Sequence, residues 1–469
     1  MNDDIYFADA TELARRIREH EYSPVEVMEA HLERIGAVNP ALNAIIAFAD
    51  DAMDRAREAE QALVKGRDIG PLGGVPFTCK DSFDVAGMHT TCGSRLYVDR
   101  VASVDATAVA RLERAGAILL GKTNTPEFTL WWETDNRIFG RTNNPWNTDL
   151  ITGGSSGGEA AALATGMSPL SLGSDVGGSL RMPAHYCGVV GFKPTHGRVP
   201  LTGLVPEVLL DIMHVGPMAR TVRDVALALR LMSGPDGIDP RCLPFDLPDV
   251  PEVPKEPLGL RVGWLADGAF APVDPQVRAV VEKAAEALRA AACTVEHVSL
   301  PVLEEHDPLW VFGTMGNPEA GVFFESLIGG REDELSDVMR RRLSAPWVET
   351  REYFKSLTGR DAIRRGMTAY FETYDLLLCP TLPTSAYPHR ARELTIDGIT
   401  IKAPQKMKTV IPWDLTGSPA LSLPFGMSED GLPIGVQLVG RHFDEATVLR
   451  AALALEQVPD VRELHPELP

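Results

Sequence analysis

The sequence predicts a three-layer α/β/α fold around a central mixed, twisted, mostly parallel sheet. Between residues 115 and 440, short apolar runs such as AILLGKT, LRVGWL and DLLLCPTLP alternate with helix-period segments such as TVRDVALALRLMS. Those runs are apolar enough to be buried, which suits a sheet covered on both faces. At 469 residues and 44% hydrophobic, the chain can also fill a large core, and it shows no internal repeat or low-complexity segment.

The elements follow in order. TELARRIREH and SPVEVMEAHLERI have helical patterns, the second with Ser23 as N-cap, Pro24 as first residue and Glu26 completing a capping box. Leu42 to Phe48 is a strand and Asp51 to Lys65 a charged surface helix. PLGGVPFTCKD (Pro71 to Asp81) is a turn and a short apolar strand ending at Lys80. Thr107 to Gly116 is an amphipathic helix leading into AILLGKT. GAILLGKT matches the phosphate-loop pattern GxxxxGK[ST] letter for letter, but the residues between its glycines are themselves the strand, so nucleotide binding is not expected. Residues 234 to 257 form a Pro- and Asp-rich crossing, and Asp274 to Ala292 a long helix. Residues 301 to 359 read as helices with loops, and strands return at Asp375 to Pro383, Ala420 to Phe425 and Ile434 to Val439.

Composition excludes several classes. A net charge of −20 with interspersed charges provides no basic face, so nucleic acid is not expected as a partner. Six scattered cysteines without a CxxC pair indicate buried thiols, not disulfides or zinc. The acidic N-terminus lacks an apolar signal region, and no apolar run is long enough to cross a bilayer, so the cytoplasm is expected and a membrane is not. No metal or other cofactor is expected.

The chemistry concentrates in Gly153 to Pro194. Ser155 and Ser156 sit in one glycine cluster and Ser179 in another, separated by a helix-like and a strand-like run. Glycine allows close backbone approach and positive φ, so successive N–H groups can converge beside a serine nucleophile. A flexible linker would not be flanked so closely by apolar periodic segments. Lys80, at the end of a buried strand, is either a solvated surface charge or a desolvated lysine fit to act as a base.

Lys80-Asp81, GGSSGG and GSDVGGSLRMP occur in this order, followed by PTLPT and LTGSPALSLPFG…GLPIGVQLVG. In this the chain resembles the amidase signature family over nearly its whole length. The resemblance implies a single domain over 1–469, with a signature core at about 70–220, a substrate-shaping region at about 240–375 and a sheet-completing segment at about 375–460. It also implies a Ser–cisSer–Lys triad of Ser179 as nucleophile, Ser155 as bridge after a cis Gly154–Ser155 peptide, and Lys80 as base. The N–H groups of Val176, Gly177, Gly178 and Ser179 would form the oxyanion hole, with Ser156, Asp175 and Arg181 holding the network by hydrogen bonds. Ser156 could instead be an ordinary helix cap.

Many relatives carry small residues where this chain has Trp131, Trp132 and Glu133, in a segment that, by resemblance to fatty acid amide hydrolase, would line the acyl side of the cleft. Leu130, Trp131 and Trp132 are therefore candidate substrate-binding residues for an apolar or aryl acyl group; the alternative is that the indoles fill the core. The expected partner is a small-molecule amide, with anilides, esters and carbamates also in range, and a homodimer is compatible with this. The same motifs serve the A subunit of glutamyl-tRNA amidotransferase. Against that protein stand the two tryptophans, Lys406-Met407-Lys408 where an acidic residue is expected, and the lack of a recognisable glutamine-binding arginine motif in residues 331 to 365. A catalytically silent binding protein on the same fold would be expected to have lost one of Lys80, Ser155 and Ser179.

Overall fold

The structure, a computed structural model, describes residues 3–247, 258–270, 272–458 and 465–468. Part of the expected Pro/Asp-rich crossing, residues 248–257, lies outside the described residues. Ser23 and Glu26 make the reciprocal capping box anticipated for the helix Pro24–Leu42. Five further strands or helices fall where the pattern places them, to within a few residues: Ala52–Val64, Thr107–Arg114, Val222–Met232, Pro275–Ala290 and the strand at the end of PLGGVPFTCKD.

Among the described residues, eleven strands form one sheet. In chain order these are β1 (Ile45–Phe48), β2 (Pro76–Lys80), β3 (Ile118–Thr123), β4 (Leu170–Asp175), β5 (Val190–Lys193), β6 (His214–Ala219), β7 (Arg261–Trp264), β8 (Thr294–His297), β9 (Leu376–Pro380), β10 (Ala420–Met427) and β11 (Pro433–Gly440). Their spatial order is β1-β3-β2-β4-β6-β5-β10-β11-β9-β7-β8. Successive strand residues face opposite ways. Thus Leu119 joins one apolar cluster while Ile118 and Leu120 join another, so both faces of β3 are covered.

The sheet is mixed, as expected, but it is not mostly parallel. Of its ten neighbouring pairs, four are parallel and six antiparallel. A parallel pair needs a crossover, whereas β10 and β11 are joined by a short turn at residues 428–432 and form a hairpin. The strand β6, HVGPMA, runs antiparallel to both neighbours. Its internal Gly and Pro hide it from a strand pattern.

The parallel group β3-β2-β4 positions the site. It aligns the carboxyl ends of β2 and β4, bringing Lys80 beside Ser174 and Asp175. The edge of such a sheet is where ligands bind in open α/β folds. The phosphate-loop look-alike is resolved in the same place: Ile118–Thr123 is strand, and Lys122 is fully buried. Its ammonium donates to the His89 carbonyl and Thr90 Oγ1 at 2.7 Å and faces Asp81 at 3.5 Å. Removing it strands a buried carboxylate. Lys122→Ala should therefore cost about 3 kcal/mol or more, read as a lowered melting temperature, while added ATP should leave the wild-type melting curve unchanged.

Candidate active site

Burying a lysine ammonium requires polar partners on every side. Lys80 Nζ has three, donating to Ser155 Oγ at 2.7 Å and to Ser156 Oγ and Ser174 Oγ at 3.1 Å. Each comes from a different local structure. Ser155 follows a cis peptide after Gly154. Ser156 precedes the helix Gly157–Ala164, and Ser174 lies on β4. Ser156 makes no side-chain cap to that helix; its hydroxyl donates to the Ser174 carbonyl at 3.3 Å instead. The capping alternative is therefore excluded by geometry.

The loop after β4 carries Ser179. Asp175 holds it through four contacts, accepting from the N–H groups of Gly178 (2.6 Å) and Leu180 (3.0 Å) and from the Arg181 guanidinium (3.0 and 3.1 Å). Burial alone would raise the Asp175 pKa, but Arg181 beside it holds the carboxyl far below the usual range. Arg181 also donates to the Val410 carbonyl, Gln437 Oε1 and Asp414 Oδ2, tying this loop to the segment before β10 and to β11. One expectation needs correcting here. Gly178 cannot offer its N–H to an oxyanion, because Asp175 already takes it. Gly178 instead supplies the bend, with φ +101° and Val410 Cγ2 only 2.6 Å from where a Cβ would sit. The N–H groups of Val176, Gly177 and Ser179 donate to no protein acceptor among the described residues. The Ser156 N–H donates to the Ser179 carbonyl at 3.3 Å, linking the two serine clusters.

Ser179 opens onto a cavity of about 470 Å³. Val176, Gly177, Leu130, Trp131 and Trp132 share its wall with Ser179, so all three candidate acyl-side residues reach it. The indoles stack at 3.6 Å. Trp132 also packs against a buried cluster containing Tyr186 and Tyr387, so it serves both core and wall. The backbone of Trp131–Glu133 lies within 2.9 Å of the position a Cβ on Gly154 would take.

Several site residues lack a clear signature in the sequence. Ser174, inside a strand-like run, completes the hydroxyl cage. Glu159 is fully buried one turn into the helix after Ser156, and the lone acid in EAAALATG is the signal that could have found it. Arg341 and Arg342 reach the cavity wall from the helix Asp337–Leu343, in the stretch that has no recognisable arginine motif. Met407, not an acid, occupies the wall beside them, while Lys408 turns away to pair with Asp307 at 2.9 Å.

A buried lysine among serine hydroxyls, and N–H groups with no protein acceptor beside a cavity, are the groups that serine-type amide hydrolysis calls on. Comparison with known proteins identifies the family. Residues 26–449 match the family described as Amidase, and the chain belongs to it. It is 37% identical, over 99% of both chains, to the A subunit of the glutamyl-tRNA(Gln) amidotransferase of Moorella thermoacetica. Among solved structures it superposes on a bacterial aryl acylamidase of the amidase signature family with a TM-score of 0.91 at 28% identity, covering 99% of this chain and 100% of that one. The A subunit of the glutamyl-tRNA(Gln) amidotransferase of Thermotoga maritima, also 28% identical, gives 0.78 over 98% of this chain and 97% of that one.

Burial pushes the Lys80 ammonium below the ordinary lysine pKa, and the buried carboxylates of Glu159 and Asp175 partly oppose it. The neutral amine, the form that can act as a base, therefore accumulates with rising pH. We expect kcat/KM to climb through a single essential ionisation lying below the ~10.4 of free lysine. Burial pushes the Glu159 carboxyl up to about 7, so its charge is present above that pH, where its loss in Glu159→Gln should move that limb to still lower pH. A limb that stays in place would remove Glu159 from the circuit.

Proposed function

We propose that this protein is a free-standing amidase that hydrolyses small apolar or aryl carboxylic amides through an acyl-enzyme on Ser179. The observation that carries this reading is the cavity: Ser179 opens onto a wall that includes Leu130, Trp131, Trp132 and Met407, which this reading takes as the acyl side. Neutral Lys80 accepts the Ser155 proton while Ser155 takes that of Ser179, whose Oγ attacks the amide carbonyl. The N–H groups of Val176, Gly177 and Ser179 hold the oxyanion, each donor worth about 3 kcal/mol. Protonated Lys80 returns its proton through Ser155 to the leaving amine, and water attacks the ester to free the acid and Ser179. Anilides, esters and carbamates fit the same cycle. At equal identity, the TM-score with the aryl acylamidase exceeds that with the Thermotoga maritima amidotransferase chain, which supports the reading.

A second reading, the glutaminase component of a glutamyl-tRNA amidotransferase complex, is favoured by the curated relatives and by Arg341 and Arg342 on the cavity wall, where an arginine suits a substrate carboxylate. On that reading the chain works with partner proteins and near tRNA. Met407 and the paired indoles weigh against it, since neither offers an acid for the ammonium group of glutamine.

A panel of short aliphatic amides, benzamide-type amides, anilides, carbamates, long-chain amides and glutamine separates the two. Amine or ammonia release should occur with one apolar class, and Ser179→Ala and Lys80→Ala should each lose about 10³-fold or more. Turnover of glutamine alone supports the second reading. Trp132→Ala should alter acyl preference more than melting temperature; the reverse outcome returns the indole to a purely core role.

A further inference from the structure

Lys406 is fully buried, and the proposed mechanism makes no use of it. It forms no ion pair among the described residues, and its one direct hydrogen bond is a long 3.4 Å contact to the Ala403 carbonyl. Its ammonium instead lies over aromatic faces, 4.5 Å from the Trp132 ring centroid and 5.3 Å from that of Tyr387. The other face of Trp132 stacks on Trp131 at 3.6 Å with 26° between planes. Lys406, Trp132 and Trp131 thus form a column whose two indoles face the cavity. Pro404 and Met407, which bracket the lysine in the chain, also line it.

We propose that Lys406 is a specificity-determining residue that makes the acyl side of the cavity reject positively charged substrates in favour of neutral apolar or aryl ones. This rests on the acyl-side placement of the indoles in the amidase reading above. A cation against one face of an aromatic stack draws π density towards itself and weakens the quadrupole that would attract a second cation beyond it. The direct repulsion acts through a dry wall, where charges are poorly screened.

One buried acid opposes that charge in part. Burial pushes the Glu133 carboxyl up while Lys406 draws it down, and its Oε2 accepts the Arg390 backbone N–H at 3.0 Å. Asp135 pairs with the Arg390 side chain at 3.2 Å, and Lys408 with Asp307. Burial raises the Tyr186 and Tyr387 phenols far above their usual range, and it lowers His185, packed on Tyr186, to about 4. Arg341 and Arg342 add positive charge to the wall. Burial lowers Lys406 to about 7, so its charge is present below that pH and is lost as pH rises through it.

Calorimetric titration of the Ser179→Ala protein tests this without requiring turnover. The probes are para-tert-butyl phenylacetamide and its para-trimethylammonio isostere, equal in shape and different only in permanent charge. The neutral probe should bind more tightly, and Lys406→Met should narrow the gap by about tenfold. Lys406→Arg should preserve it. With Lys406 in place, raising the pH through neutrality should narrow the gap likewise, which serves if Lys406→Met does not fold. A gap unchanged by Lys406→Met, or by pH when that variant fails to fold, overturns the proposal. Binding of neither probe removes the acyl-side wall and the inference with it. A gap that responds to Lys406, in a protein whose Ser179 form turns over no apolar amide, strikes the proposed activity and leaves the charge selection standing.

Discussion

The site depends on one ammonium group held out of water. A lysine at the end of a central strand loses its hydration on folding, and only hydrogen bonds from its surroundings can replace it. Here three serine hydroxyls do so. They arrive from the cis turn at Ser155, the start of the helix at Ser156 and the strand β4 at Ser174, so the cage closes only when all three elements are in register. The same enclosure that forces this geometry also lowers the proton affinity of the amine, which makes Lys80 useful as a base.

The loop bearing Ser179 has a matching constraint. Its bends need a positive-φ glycine and an acid to gather its N–H groups. Asp175 meets the second need but takes one N–H that a count of glycines would award to the oxyanion hole. The carboxylate in turn needs Arg181, and Arg181 reaches across to Val410, Asp414 and Gln437. Ser179 is thereby positioned from both halves of the sheet.

This division explains what the sequence discloses. Lys80, Ser155 and Ser179 stand out in the sequence because glycine clusters and a strand-terminal lysine are local signals, but the roles expected of them come from the family resemblance. The buried strands and capped helices are legible because their periodicity is local too. The β6 strand is not, since Gly and Pro interrupt it, and the orientation of much of the sheet is hidden with it. Ser174 and Glu159 look like filler inside well-formed elements. Arg341 and Arg342 belong to a helix whose docking on the cavity depends on residues far away in the chain. Lys406 enters the sequence reading only as a basic residue where the amidotransferase subunit would carry an acid, and its place against Trp132 is set by the fold.

The tight fit at Gly154 joins two parts usually considered separately. The backbone of the tryptophan segment rests against the residue that precedes the bridging serine, with no room for even one added carbon. The cavity wall at 131 and 132 and the turn that carries Ser155 are therefore a single mechanical unit. A change of preference can come from exchanging the side chains at 131 and 132, which leaves that contact intact. An insertion, deletion or re-routed loop there would disturb the serine itself. Divergence of the cavity wall is thus channelled into side-chain replacement on a fixed backbone.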